Sequence, residues 1–413
     1  MSKKIRVFVF IICLTKLVVY LVGCSQDIID TTNLTSRMRH STIAFNTVST
    51  LLVYSDFSNE DNVRRFNEAW QQTLDILEEL DSTLSPTSPY SYVTKFNSLA
   101  YRESINISYH MANVIQIAKD LYGYTDGLFD LTVHPLVDLW GLSPRFNVRN
   151  FVMSKPFDRE AGRYQLPDIE YIEAFLQLVN FDGIELNGCK DYGFTLTKNI
   201  RPIVINGYKF NASLDLGAIL KGYAVDLVLL ILESHGFEFG FFSCGGSSIV
   251  MLNGMDYIYD DEFLFEIGLR RPRAGNTHTS SFAIVKTANH TISTSGDWDN
   301  YFFVEGVRYS HIFDPRTGWP INTPVSYDKK QQGLVSVTVM GSNNISFVGT
   351  KTEIFSTALI IMSLAEAIEF MYNYLADYKV VLVHYDNRDS SINVITNICE
   401  RFIEILDDAY VKS

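Results

Sequence analysis

Apolar residues recur at Val63, Phe66, Trp70, Leu74, Leu77 and Leu80 with charged residues between them. That spacing predicts a helix over Glu60–Leu80 with one buried face. Similar patterns predict helices over Tyr109–Tyr122, Leu216–Glu233 and Lys351–Leu375, and one from about Ile392 to the C-terminus. Shorter runs rich in Val, Ile, Phe and Thr predict strands at 45–54, 333–341 and 379–385. Strands and turns alternate up to Asn211, and 239–269 and 282–313 are β-rich. Strands and helices mix without regular βαβ alternation, which predicts an α+β fold. Between Leu142 and Ala174 the periodicity fades into polar, charged and proline-containing sequence, so 142–174 reads as a surface insertion.

The N-terminus changes the picture. Lys3, Lys4 and Arg6 precede the apolar run VFVFIICLTKLVVYLVG, which Lys16 interrupts. A cleaved signal suits this better than a stable membrane span. Leu21-Val22-Gly23-Cys24 resembles a bacterial lipobox, with a plain secretory peptide and a chance cysteine as the alternative. The expected organisation is a signal over 1–23, lipidation at Cys24, a polar tether over 24–42 and a folded domain over 43–413. Acyl chains on Cys24 would hold the protein to a membrane on the exported side of a bacterial cell envelope, at the periplasmic face or the outer surface. The net charge of −13 carries no basic stripe and argues against a nucleic-acid partner. Cys189, Cys244 and Cys399 are widely spaced and odd in number, which predicts inert packing rather than a disulfide or metal framework.

Candidate chemistry concentrates in Ser293–Asn322, STSGDWDNYFFVEGVRYSHIFDPRTGWPIN. A hydroxyl- and glycine-rich turn, Thr294–Asp297, precedes two aromatic strands joined at Glu305-Gly306. The second strand delivers His311 and Asp314 into a Pro-Arg-Thr-Gly turn. Such a hairpin presents an imidazole and a carboxylate at a cleft, or simply ends in polar residues. Glu353 and Thr357 are four apart, so they share a helical face near the predicted first turn. They offer hard oxygen ligands to Mg²⁺, or form a solvated face. In SLDLGAILKGYAVD, Asp215 is expected to end a strand and Gly217-Ala218 to lead into a helix whose first amides favour an anionic diphosphate. Gly245-Gly246 permits positive φ or close approach to a ligand. Trp140 reads as a core residue and His134 as a packing or surface histidine rather than a ligand.

These segments, with GLFDLTVHPLVDLWGL (127–142), SCGGSS (243–248) and TEIFSTAL (352–359), resemble in the same order the motifs of the ApbE family, the FAD:protein FMN transferases. The resemblance runs from about Phe45 to the Thr357 helix. It implies an ApbE-like, T-fold-related catalytic domain of mixed sheets and packed helices in two subdomains. It also implies transfer of FMN from FAD to a threonine of a partner protein, an acceptor flavoprotein subunit of a membrane redox complex, with release of AMP. By the same resemblance Phe45, Leu84, Leu128, Phe129, Asp130, Asp215, Lys221 and His311 would contact FAD. The Ala218 carbonyl, Glu353 and Thr357 would hold Mg²⁺, and His311 and Lys221 would serve catalysis. Asp314 would orient His311 or bind ligand. Glu353 stands where the family has Asp. Leu84 stands where it has a stacking aromatic, which Tyr90 or Tyr92 would replace. Two rival readings share the same residues: FAD hydrolysis to FMN and AMP, and non-catalytic flavin binding. The chain carries no Asp-Gly-x-Ser/Thr-Gly-Ala-Thr acceptor motif of its own.

Overall fold

The computed structural model describes residues 36–86, 88–142, 166–259, 262–272, 281–298, 300–305, 307–321, 333–386, 391–406 and 410–412. The expected signal, Cys24 and most of the 142–174 insertion lie outside these residues. No described helix is long and apolar enough to cross a membrane.

The central element is a nine-stranded sheet. Its strands are β1 (Ser36–Ala44), β2 (Thr47–Ser55), β3 (Gly240–Cys244), β4 (Ser248–Met251), β5 (His290–Gly296), β6 (Gly333–Ser342), β7 (Tyr378–Asp386), β8 (Ser391–Thr396) and β9 (Tyr410–Lys412). They lie side by side in chain order. All neighbours are antiparallel except β8 and β9. The described helices are α1 (Glu60–Leu84), α2 (Tyr92–Ser98), α3 (Tyr109–Tyr122), α4 (His134–Leu139), α5 (Ile169–Leu176), α6 (Leu220–Ser234), α7 (Val348–Ile361) and α8 (Leu364–Tyr374).

Period-2 alternation gives the sheet two apolar faces. One packs with the helices into a core that includes Leu51, Phe242, Val250, Val337 and Val339. The other, with Met251, Val335 and Val381, closes on a four-stranded sheet through Phe265, Phe282 and Val285. The result is a helix layer, a large sheet and a small sheet, the expected α+β class. A separate three-stranded sheet of Ser104–Ile107, Gly193–Lys198 and Ile184–Cys189 packs near α2 and α3.

Several expectations need correction. Residues 36–42, expected in the tether, belong to β1, and the expected first strand is the second arm of a hairpin turning at Phe45-Asn46. His40 faces inward against Phe66 and Trp70, whereas Arg37, Arg39 and Ile43 face solvent, so an edge strand read as polar tether. The expected C-terminal helix is strand β8, a short 3-10 turn, strand Ile403–Ile405 and β9. The expected Lys351–Leu375 helix is two helices, broken where Ser363 and Glu366 form a capping box for α8. Asp215 lies in irregular chain rather than at a strand end, and Thr294–Gly296 lie within β5 rather than in a turn. Cys244 is buried as expected, but Cys189 and Cys399 are exposed.

Candidate active site

The site begins where α6 crosses α7. A Cβ on Gly222 would sit 2.3 Å from the Gly349 carbonyl oxygen, and one on Gly349 would sit 2.5 Å from that of Gly222. Only glycine at both positions lets the two backbones meet this closely. Helix α7 starts after Phe347, which is left-handed (φ 52°), and has no side-chain cap of its own. Asp226 of α6 supplies one from outside. Its carboxylate accepts from Gly349 N (2.6 Å), Thr350 N (2.8 Å) and Thr350 Oγ1 (2.6 Å). Burial pushes the Asp226 carboxyl up to about 6, against the pull of these hydrogen bonds.

The crossing sets Lys221 on α6 beside Glu353 on α7, with Nζ 4.0 Å from Oε1. Lys221 also donates to Ser247 Oγ, and Ser248 Oγ donates to Glu353 Oε1. On either side of Glu353 along α7, Ser293 Oγ meets Thr352 Oγ1 at 2.9 Å, and Ser295 Oγ meets Ser356 Oγ at 2.9 Å and Thr357 Oγ1 at 3.3 Å. Strand alternation explains the seam: Ser248 pairs with Ser293 across β4 and β5, and Ser295 follows two positions on, so all three face the helix. Glu353 and Thr357 share a face as expected, but lie in the middle of α7 rather than its first turn. Burial pushes the Glu353 carboxyl up, with Lys221 and then Ser248 opposing.

The Asp215 segment reaches α6 from outside the sheet. Asn97 clamps Leu214 through both backbone groups, at 2.7 and 3.0 Å. Asp215 N donates to Leu131 O (2.8 Å), and Asp215 Oδ1 accepts from Gly217 N (2.7 Å). This joins the Leu128–Asp130 segment to the turn carrying Ala218, which is exposed just before α6. Phe45 sits at the tip of the β1–β2 hairpin, which meets the Gly245-Gly246 turn through a Gly245 N to Val48 O bond of 3.0 Å. Both glycines have the positive φ expected of them.

His311 follows the aromatic hairpin Tyr301–Val304/Val307–Ser310. Its ring Nδ1 lies 3.1 Å from Asn300 O. That contact favours the tautomer with the proton on Nδ1 and makes Nε2 the accepting nitrogen. The hairpin rests on Trp140, which is fully buried as expected. The indole stacks on Tyr309 at 5.8 Å, meets Trp319 edge-on at 5.2 Å and donates to Gly318 O at 3.0 Å. His134 is held by Ser213 (3.0 Å), in keeping with a packing role.

Three expected site residues have contacts the sequence did not suggest. Leu84 is fully buried at the end of α1, in the core rather than on a cofactor loop, while Tyr90 is 81% exposed and Tyr92 packs under Lys95. The Asp130 carboxylate is taken up by Thr132 N (2.6 Å), Thr132 Oγ1 (2.5 Å) and Phe181 N (3.3 Å), which makes it a local brace. Asp314 grips Arg316 in its own turn, at 2.9–3.2 Å, rather than His311. Sequence reasoning missed Asp226, Asn97 and the seam serines. Ser247-Ser248 directly after Gly245-Gly246, and Asp226 closing SLDLGAILKGYAVD, were the available signals.

The donor set fits a hard cation. One carboxylate (Glu353), one hydroxyl (Thr357) and a backbone carbonyl (Ala218) are oxygens of the kind Mg²⁺ takes together with water and substrate phosphates. Among the described residues no cluster of three or more His, Cys, Asp or Glu forms an all-protein cage.

Fold and seam together define an α+β protein whose polar centre joins a lysine, a carboxylate and hydroxyls, suited to handling phosphate. Comparison with known proteins is specific. The chain belongs to the ApbE family, whose model matches residues 45–382. It is 31% identical to the FAD:protein FMN transferase of Vibrio cholerae over 277 residues, 67% of this chain and 70% of that one. Identity to the Buchnera aphidicola FAD:protein FMN transferase is 27%, covering 70% of this chain and 72% of that one. Among solved structures, the flavin transferase ApbE of Vibrio cholerae superposes with a TM-score of 0.65 at 24% identity, covering 87% of this chain and 97% of that one. The ApbE protein of Thermotoga maritima gives 0.63 at 23%, covering 86% and 96%.

Proposed function

We infer that this protein is an FAD:protein FMN transferase. Family membership and the relatives' shared activity support this reading. The observation that carries it in the structure is the α6–α7 crossing, where Lys221 and Glu353 meet in a buried hydroxyl seam that continues to Thr357.

These groups would carry the reaction. The hydroxyl oxygen of an acceptor threonine attacks the FMN-side phosphorus of FAD. The new P–O bond forms as the phosphoanhydride bond to AMP breaks, and AMP departs. The hydroxyl proton passes to Nε2 of His311, the accepting nitrogen in the tautomer that Asn300 favours. Lys221 would offset charge on the phosphates. Glu353, Thr357 and the Ala218 carbonyl would hold Mg²⁺, which when bound neutralises phosphate charge. The acceptor is an exported flavoprotein subunit of a membrane redox complex. Lipidation at Cys24 keeps the enzyme on the same membrane face; the lipobox supports this.

The test uses purified protein with FAD, with and without Mg²⁺, and an acceptor bearing the target threonine. AMP release with a flavin-fluorescent acceptor band is expected, and His311→Ala should lose both. AMP with free FMN and an unlabelled acceptor would replace transfer by hydrolysis. Bound FAD without AMP would leave a flavin-binding protein.

A further inference from the structure

Glu353 occupies a position where a shorter acid would serve the same metal, and the structure holds an adaptation to the extra methylene. The side chain is buried among α6, α7 and β4. Its described polar contacts run to one oxygen: Ser248 donates to Oε1, and Lys221 Nζ lies 4.0 Å from the same atom. Oε2 takes part in neither. Ser248 is itself fully buried, and a hydroxyl there needs a partner. Its cross-strand neighbour Ser293 is committed to Thr352, and Ser247 to Lys221. The Ser248 hydroxyl therefore meets a carboxylate, whereas the other rungs of the seam pair hydroxyl with hydroxyl. An aspartate at 353 would end about 1.5 Å short and would not reach Ser248 from the same backbone.

We propose that Ser248 is a positioning residue that fits this site to a glutamate: it fastens Oε1 so that Oε2 is the oxygen presented to a divalent cation. The serine restrains the longer side chain, in the way that hydrogen bonds to a metal ligand commonly fix its orientation. The proposal rests on the reading of Glu353 as a metal ligand.

The test is binding of Mn²⁺ alone to the purified full chain, followed by the loss of its free-ion paramagnetic resonance signal, with no FAD and no turnover. Ser248→Ala should weaken Mn²⁺ about tenfold with the melting curve still cooperative, and Ser248→Thr, which keeps the hydroxyl, should retain most of the affinity. In a Glu353→Asp background, Ser248→Ala should change affinity less than about threefold, because the pair is already broken. Equal losses in both backgrounds would overturn the proposal and make Ser248 a packing residue, and so would an unchanged affinity in the single variant. Glu353→Gln separates the two levels: if it binds Mn²⁺ like the unaltered protein, the ligand reading itself falls. If Glu353→Gln abolishes binding while Ser248→Ala does nothing, only the positioning role falls.

Discussion

The two halves of the candidate site are built on opposite principles. The Lys221–Glu353 half is internal: two helices touch through paired glycines, a carboxylate from one caps the other, and buried hydroxyls fasten the second helix to the sheet. The His311 half is peripheral: a two-stranded hairpin lies on a single indole, and the imidazole is held by a backbone carbonyl. On the proposed reading, a site that aligns phosphates gains from rigidity, whereas a base that meets an incoming protein needs access. The contrast predicts that changes on the first side cost stability and ligand order together, while removal of the imidazole on the second costs activity alone.

The largest expected effect is on the peripheral side. His311→Ala should lower acceptor flavinylation by about 10²–10⁴-fold, with the melting temperature nearly unchanged; a collapse in stability would mean the hairpin is structural. On the internal side, Gly222→Ala would force a methyl against the Gly349 carbonyl. The expected cost is about 1–3 kcal/mol or more in chemical denaturation, with weaker FAD binding alongside. Asp226→Asn should cost about 1–3 kcal/mol, because an amide cannot accept from all three donors of the α7 start.

The same residue gives a pH signature. The folded Asp226 pKa, near 6, lies above its unfolded value of about 4. Its contribution is therefore fully present below about pH 4 and is lost as pH rises through about 6. The stability difference between the unaltered protein and Asp226→Asn should shrink over that window; a difference that grows would reverse the assignment. The smallest effect is expected from Trp140→Phe. It keeps the ring cluster but loses the hydrogen bond to Gly318, at about 1 kcal/mol, and should slow flavinylation only modestly.

How much was legible depended on which physical signal each element carries. Helix α3 was read at its true ends because its apolar spacing is sustained, and in the structure Ser108 caps it. Motif residues such as Lys221, Glu353 and His311 stood out by chemical type and order. The seam did not, because Ser293 and Ser295 look like turn residues until strand pairing turns them toward α7. The C-terminal region failed for a related reason. Ile392, Val394 and Thr396 alternate like a strand, but the run is too short for periodicity to decide against a helix. For Leu84 and Asp130 the motif gave a matched position but not the direction of the side chain. One side chain points into the core and the other braces its own turn.

Strand order in the large sheet has a kinetic consequence. The β1–β2 hairpin is local and can form early, but its next neighbour, β3, arrives only after the chain has run from Ser55 to Gly240. That single pairing closes a long loop around helices α1 to α6 and the three-stranded sheet, and the crossing of α6 with α7 spans a second long separation. Contacts of such range are slow to form. In refolding experiments secondary structure should therefore appear well before flavin binding, and the interval between the two would time the closing of the seam.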